Sequence, residues 1–126
     1  MLSFARGRYR ARTALTPQDI EAAQRLRALA FRGPDAARPD ADDFDAACTH
    51  VLVEETRSGD LVCCFRLLHL GSGAEIGRSY SAQFYELSAL ADFDGPMVEM
   101  GRFCIHPEWR DPDILRVAWG AMTDYV

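Results

Sequence analysis

"VEMGRFCIHPEWRD", Val98 to Asp111, decides how this chain is read. The stretch from Met97 to Ile105 has the composition of a buried β-strand, and Pro107 stops it. Yet it carries a carboxylate, Glu99, and a guanidinium, Arg102. A buried charge without a partner is strongly destabilising. In a regular strand, residues three apart face opposite sides of the sheet. Gly101 lies between them, and glycine inside a strand often marks a bulge. A bulge at Met100–Gly101 would turn both side chains to one face. It would also release backbone N–H groups, the donors an acyl-transfer site uses to stabilise an oxyanion. Two readings are open at this point: a structural ion pair in a bulged strand, or a site where the charge is used.

Working outward, Asp111-Pro112 is an N-cap followed by a first-turn proline. It starts a helix whose apolar stripe is Ile114, Val117, Ala118, Ala121, Met122 and Tyr125. Upstream, residues 74–95 read as irregular, with a short helix near Tyr85 to Leu90. "CTHVLVEE" (48–55), the turn "RSGD" and "LVCCFRLLHL" (61–70) read as an antiparallel hairpin. "PDAARPDADD" (34–43) is a polar surface loop. Thr16 and Pro17 open another helix, with Asp19 in the capping-box position. Ile20, Ala23, Leu26 and Ala30 carry it to about Phe31, and Gly33-Pro34 end it. Arg8 to Leu15 reads as a first strand. The order is strand, helix, three strands, helix, an α+β arrangement in one domain, residues 1–126.

Bulk properties narrow the class. No apolar run reaches the roughly 20 residues of a membrane span. "MLSFARGRYRAR" lacks the apolar core of a signal peptide, so a cytoplasmic location is expected. The net charge of −5 argues against nucleic-acid binding. All 14 basic residues are arginine. Cys48, Cys63, Cys64 and Cys104 show no CxxC spacing, and adjacent Cys63 and Cys64 would point to opposite strand faces. Reduced core thiols are expected. Cys104 and His106 are too few ligands for a zinc site, so no metal is expected.

Other charges stand out beside the opening pair. Arg66 interrupts the apolar "CCFRLL". Arg27 lies late in the first helix, near Phe31. Asp42 and Asp45 are three apart before a strand. Each has an ordinary reading: an edge-strand arginine with its head in water, a surface residue, loop solvation or a helical cap.

Taken in order, "QRLRALAF", "DDFDAACTHVLVEE", "CCFRLL" and "VEMGRFCIHPEWRD" resemble the acyl-homoserine lactone synthases and their relatives, the ornithine–acyl-carrier-protein N-acyltransferases. Both belong to the GNAT-like acyltransferase superfamily. "GRSYSAQFYELSAL" followed by "EMGRF" is more similar to the ornithine-lipid branch. The resemblance covers about residues 8–126 and implies a mostly antiparallel central sheet with flanking helices. It implies a catalytic group of Glu99, Arg102 and Arg66, with Glu99 removing a proton from the attacking amine. It implies substrate-binding roles for Arg27, Phe31, Asp42, Asp45, Phe84 and Tyr85. The three arginines would hold the acidic residues in place. The glycine-rich phosphate loop of many GNAT enzymes is replaced here by "HPEWRDPDILR".

The implied reaction moves a fatty acyl group from an acyl-carrier-protein thioester to an amino-acid amine, ornithine being favoured. The carrier is a co-substrate and no other cofactor is implied. Peripheral membrane contact through a lipid product is compatible with this reading. Alternatives are acyl-homoserine lactone synthesis and a non-catalytic GNAT-like binding module. The resemblance also implies that the chain is the N-terminal part of the family's domain. On that reading the 97–105 strand is an open edge and the stripe on the last helix is uncovered, which predicts an inactive homo-oligomer.

Overall fold

The computed structural model describes residues 3–126. Five strands form one antiparallel sheet in chain order: β1 (Ser3–Arg6), β2 (Tyr9–Thr13), β3 (Thr49–Glu55), β4 (Leu61–Leu70) and β5 (Met97–Ile105). Two helices, α1 (Pro17–Arg32) and α2 (Pro112–Tyr125), cover its two faces. The architecture is α+β, as expected. The strand expected at Arg8–Leu15 is present as β2, and β1 precedes it in a hairpin that reverses at Gly7–Arg8. Gly7 takes φ +60° there, a left-handed conformation open to glycine. In place of the short helix expected near Tyr85 to Leu90 there is a 3₁₀ turn at Ser88–Leu90, preceded by 3₁₀ segments at Gly73–Arg78 and Ser81–Gln83.

Both helix starts follow the sequence signals. The Thr16 hydroxyl accepts from the Asp19 N–H at 3.1 Å, and Pro17 occupies the first turn. The Asp111 carboxylate accepts from the Asp113 N–H at 3.0 Å. These bonds satisfy amides that the first helical turn leaves without backbone partners.

The two faces of the sheet are built differently. Against α2, Val51, Val53, Phe65 and Leu67 meet Ile114, Val117, Ala118 and Ala121 in the larger apolar core. The stripe on α2, expected to be uncovered, is therefore buried against the sheet. What α2 exposes instead is Leu115 and Trp119. One of the two grounds for expecting self-association falls with that correction. β5 does lie at the edge of the sheet in this chain.

Against α1, the core of Leu26, Leu52, Cys64 and Cys104 is small. Beyond it this face turns polar, because Arg27, His50, Arg66 and Asp45 are buried in line with it. Cys63 and Cys64 fall into the two different cores, as their adjacency dictates. All four cysteines are free thiols, Cys64 and Cys104 lying 3.5 Å apart between directly paired positions of β4 and β5.

Candidate active site

The ladder between β4 and β5 slips once. Cys64 pairs with Cys104 but Arg66 pairs with Gly101, so Phe65 alone opposes both Arg102 and Phe103. This is a β-bulge at Arg102–Phe103, two residues beyond the expected Met100–Gly101. Its unusual backbone belongs to Arg102, at φ +49°, and not to Gly101. Around it the side chains alternate. Val98, Met100, Phe103 and Ile105 pack on the α2 core, and Phe103 stacks on Phe65 at 5.9 Å. Glu99 and Arg102 both reach residues on the opposite face, meeting at Tyr80. The extra residue resolves the mismatch that the sequence posed.

Three arginines and three aspartates converge there. Arg27 is 1% exposed. It donates to both oxygens of Asp45 (2.8 and 3.2 Å) and to Asp40 (2.9 Å). Arg66 donates to both oxygens of Asp42 (2.6 and 3.0 Å) and to Asp45 (2.8 Å). Paired forks of this kind are the strong form of the charge-assisted hydrogen bond. Asp45 also accepts from the Gln24 amide at 3.0 Å and the Asp42 N–H at 3.3 Å. His50 donates from Nε2 to the Asp45 carbonyl at 2.9 Å. Arg102 approaches more loosely: 3.3 Å to Asp42, 3.3 Å to Asp40 and 3.5 Å to the Tyr80 hydroxyl.

Burial alone would disfavour charge on Asp45 and Asp42. The guanidinium hydrogen bonds outweigh it, and both carboxyls are held below their usual range. Burial likewise opposes charge on Arg27 and Arg66, yet their aspartate partners raise both above the normal arginine value. Arg27 and Arg66 with Asp42 and Asp45 form a charge-balanced scaffold.

Tyr80 ties this scaffold to Glu99. Its ring lies 5.5 Å from the Arg66 guanidinium and 5.2 Å from that of Arg102, in cation–π contact with both. Phe44 faces Arg66 from another side at 5.7 Å and meets Tyr80 edge-on. The Tyr80 and Ser81 backbone N–H groups donate to the two oxygens of Glu99 at 2.8 and 3.0 Å. A cavity of about 40 Å³ lies among Phe44, Cys48, Arg66, Tyr80, Glu99 and Gly101. Burial pushes the Cys48 thiol up, so it is a neutral part of the lining.

Of the residues singled out in sequence, Arg27, Asp42, Asp45, Arg66, Glu99 and Arg102 are brought together. Phe84 joins at the rim, its ring 5.5 Å from Tyr80, and is 65% exposed. Phe31 and Tyr85 stand outside the cluster at 50% and 69% exposure. Arg66 is no edge-strand residue, since β4 is flanked by β3 and β5. Asp40, Tyr80, Ser81, Phe44 and His50 were missed. Among the described residues no group of three or more His, Cys, Asp and Glu side chains is placed to hold a metal ion.

Comparison with known proteins places this chain in a family. The acetyltransferase (GNAT) domain matches residues 26–120, and the chain belongs to that family. Within it, the chain is similar to proteins named L-ornithine N(alpha)-acyltransferase. It is 36% identical to the one from Rhodobacter capsulatus, over 94% of this chain and 51% of the relative. It is 32% identical to that of Rhizobium meliloti (86% and 42%) and 30% identical to that of Brucella abortus (94% and 48%). The chain thus spans about half the length of the curated relatives it matches. No solved structure matches it.

Proposed function

We propose that the protein carrying this chain is an N-acyltransferase that moves a fatty acyl group from an acyl-carrier-protein thioester to the amine of an amino acid, with ornithine as the acceptor. The observation that carries the reading is the bulge of β5, which sets Glu99 and Arg102 on the face occupied by the buried arginine–aspartate scaffold. Membership of the GNAT family and likeness to the ornithine N-acyltransferases support the reaction class and the acceptor. The carrier-protein donor and an ornithine-lipid product extend that reading, as does a cytoplasmic site of action. No helix among the described residues is long and apolar enough to cross a membrane.

In this mechanism the amine nitrogen attacks the thioester carbonyl carbon. The C–N bond forms, the C–S bond breaks, the nitrogen's second proton passes to the departing sulfur, and the carrier leaves as its thiol. An alkyl ammonium must first lose a proton, and Glu99 takes it directly or through water. Each Glu99 oxygen accepts one backbone N–H and keeps a second acceptor direction for that proton. Those two bonds fix the carboxylate, and the scaffold behind it is fixed in turn, so little reorganisation accompanies reaction.

Glu99→Gln tests the assignment. The amide keeps the shape and some hydrogen bonding but is not a base. Acyl transfer from carrier thioester to ornithine by purified full-length protein is expected to fall by at least about a hundredfold, with unchanged circular dichroism. Equal rates for wild type and variant would remove Glu99 from the proton-transfer role. In lysates, which can convert methionine to the S-adenosylmethionine that lactone synthesis would use, label from methionine in place of label from ornithine in the product would redirect the assignment to lactone synthesis.

A further inference from the structure

We propose that Arg102 and Glu99 together receive the zwitterionic headgroup of an α-amino acid, Arg102 taking the carboxylate and Glu99 the ammonium. This rests on the acceptor reading above and specifies what that acceptor must carry.

The three arginines of the site are not equivalent. Arg27 and Arg66 are buried and spend their donors on bonds of 2.6 to 3.2 Å. The Arg102 side chain is 27% exposed, and none of its contacts is shorter than 3.3 Å. Its Nε is buried without a hydrogen-bond partner among the described residues, although an Asp40 oxygen lies 3.3 Å away in poor alignment. Asp40 and Asp42 face this guanidinium, but each already has a closer bond, from Arg27 at 2.9 Å and from Arg66 at 2.6 Å. Arg102 therefore has donors to spare, and no aspartate depends on it.

The backbone points the same way. A non-glycine residue at φ +49° is disfavoured, and such conformations gather where a side chain must be aimed. Here the bulge takes Arg102 out of the β4–β5 register and delivers it to the face of Glu99. Glu99 has the opposite character. It takes part in no ion pair among the described residues, and its two bonds are to neutral backbone N–H groups. One strand face thus offers a spare cation and an uncompensated anion, three residues apart, with Tyr80 touching both.

An α-amino acid carries the complementary pair on a single carbon. A planar guanidinium fork matches a carboxylate, and a carboxylate matches an ammonium. The cavity of about 40 Å³ is lined by Glu99 and not by Arg102, and it is too small for the whole molecule, so the headgroup would bridge from Glu99 at its rim to the partly exposed Arg102. Placing the α-ammonium at Glu99 also puts the nitrogen to be acylated beside the group that takes its proton.

The test is equilibrium titration of the purified protein with L-ornithine, its methyl ester and 1,4-diaminobutane, which lacks the carboxylate. Wild type is expected to bind ornithine at least about tenfold more tightly than either analogue, the scale of a charge-assisted contact. Arg102→Gln should remove that preference and leave diamine affinity within about twofold, since the amine site is untouched. Arg102→Lys should keep part of the preference, having charge without the fork. Equal wild-type affinity for ornithine and the diamine would overturn the carboxylate assignment while leaving an amine acceptor in place. Arg102→Gln weakening all three ligands alike would make it a structural residue and also overturn the proposal. A wild-type protein that binds no ornithine would remove the acceptor reading and the proposal together.

Discussion

The two ends of the arginine–aspartate cluster use the same residue types to opposite effect. At the α1 end, Arg27, Arg66 and Asp45 are buried, closely bonded and mutually saturated. At the β5 end, Arg102 is partly exposed and loosely held, and Glu99 has no cation partner among the described residues. Desolvation explains the difference. A charge removed from water needs every donor and acceptor satisfied, so the buried end is closed on itself. A charge at the rim keeps water as an alternative partner and can exchange it for a ligand. The buried half is scaffold, and the rim half is where binding free energy can be gained.

The most direct way to break this contrast is to remove one residue from each end. Asp45→Ala leaves two buried guanidiniums short of their shared partner. It should cost about 3–5 kcal/mol of folding stability, the scale for breaking a buried ion pair. Arg102→Gln, at the exposed end, should cost about 0–1 kcal/mol. Urea denaturation of the two variants measures both. Similar losses would mean that the two ends are one cooperative unit and that Arg102 is scaffold as well.

Acid should probe the same division. Despite the opposing effect of burial, hydrogen bonds from Arg66 and Arg27 hold the Asp42 and Asp45 carboxyls below their normal range. A carboxyl depressed by folding contributes stability that is complete above the unfolded value, about 4. That contribution is lost as pH falls through the lower folded value. The share of stability owed to these two groups should therefore be flat from neutrality to about pH 5 and decline below about pH 4. Asp45→Asn should shallow that acid limb, whereas Arg102→Gln should leave most of it. Thermal melts between neutral and strongly acid pH separate these outcomes.

Much of this was legible in the sequence, and what escaped has physical reasons. The helix starts at Thr16 and Asp111 are local signals, and local chemistry settled them. The burial of Arg27 had a signal that went unused, since it lies four residues after Ala23 and shares its apolar face. Arg66 had one too: a charge inside a continuous apolar run reads as a central strand with a buried partner elsewhere. Asp40 and Tyr80 carried no such mark. The partners of Asp40 are 13 and 62 residues away and the hydrogen-bond partners of Tyr80 in this site are 19 and 22 away, and neither segment has a period to read. The β1–β2 hairpin was missed because four mostly exposed residues leave no alternation to detect. The charge mismatch signals the bulge, but Gly101 points to a place two residues early, because the residue that takes the unusual backbone conformation is an arginine.

That last displacement leads to the smallest and most local prediction. Arg102, not Gly101, holds the left-handed conformation of the bulge. An L-residue there is disfavoured by about 1–2 kcal/mol, and glycine is free of that clash. Glycine gives back part of the gain through the greater freedom of its unfolded chain, about 0.4–1 kcal/mol. Neither Arg102→Ala nor Arg102→Gly retains the guanidinium, so comparing the two cancels the lost contacts with Asp42 and Tyr80. If the backbone conformation belongs to the fold, Arg102→Gly should be the more stable by about 0.5–1 kcal/mol. If the arginine instead pulls the backbone into place through its side-chain contacts, both variants relax into a regular ladder and alanine becomes the better strand residue. Alanine more stable than glycine at this position would thus show that the bulge is made by the network. Glycine more stable would show that β4 and β5 impose the bulge, and that Arg102 is carried to the rim by the strand beneath it.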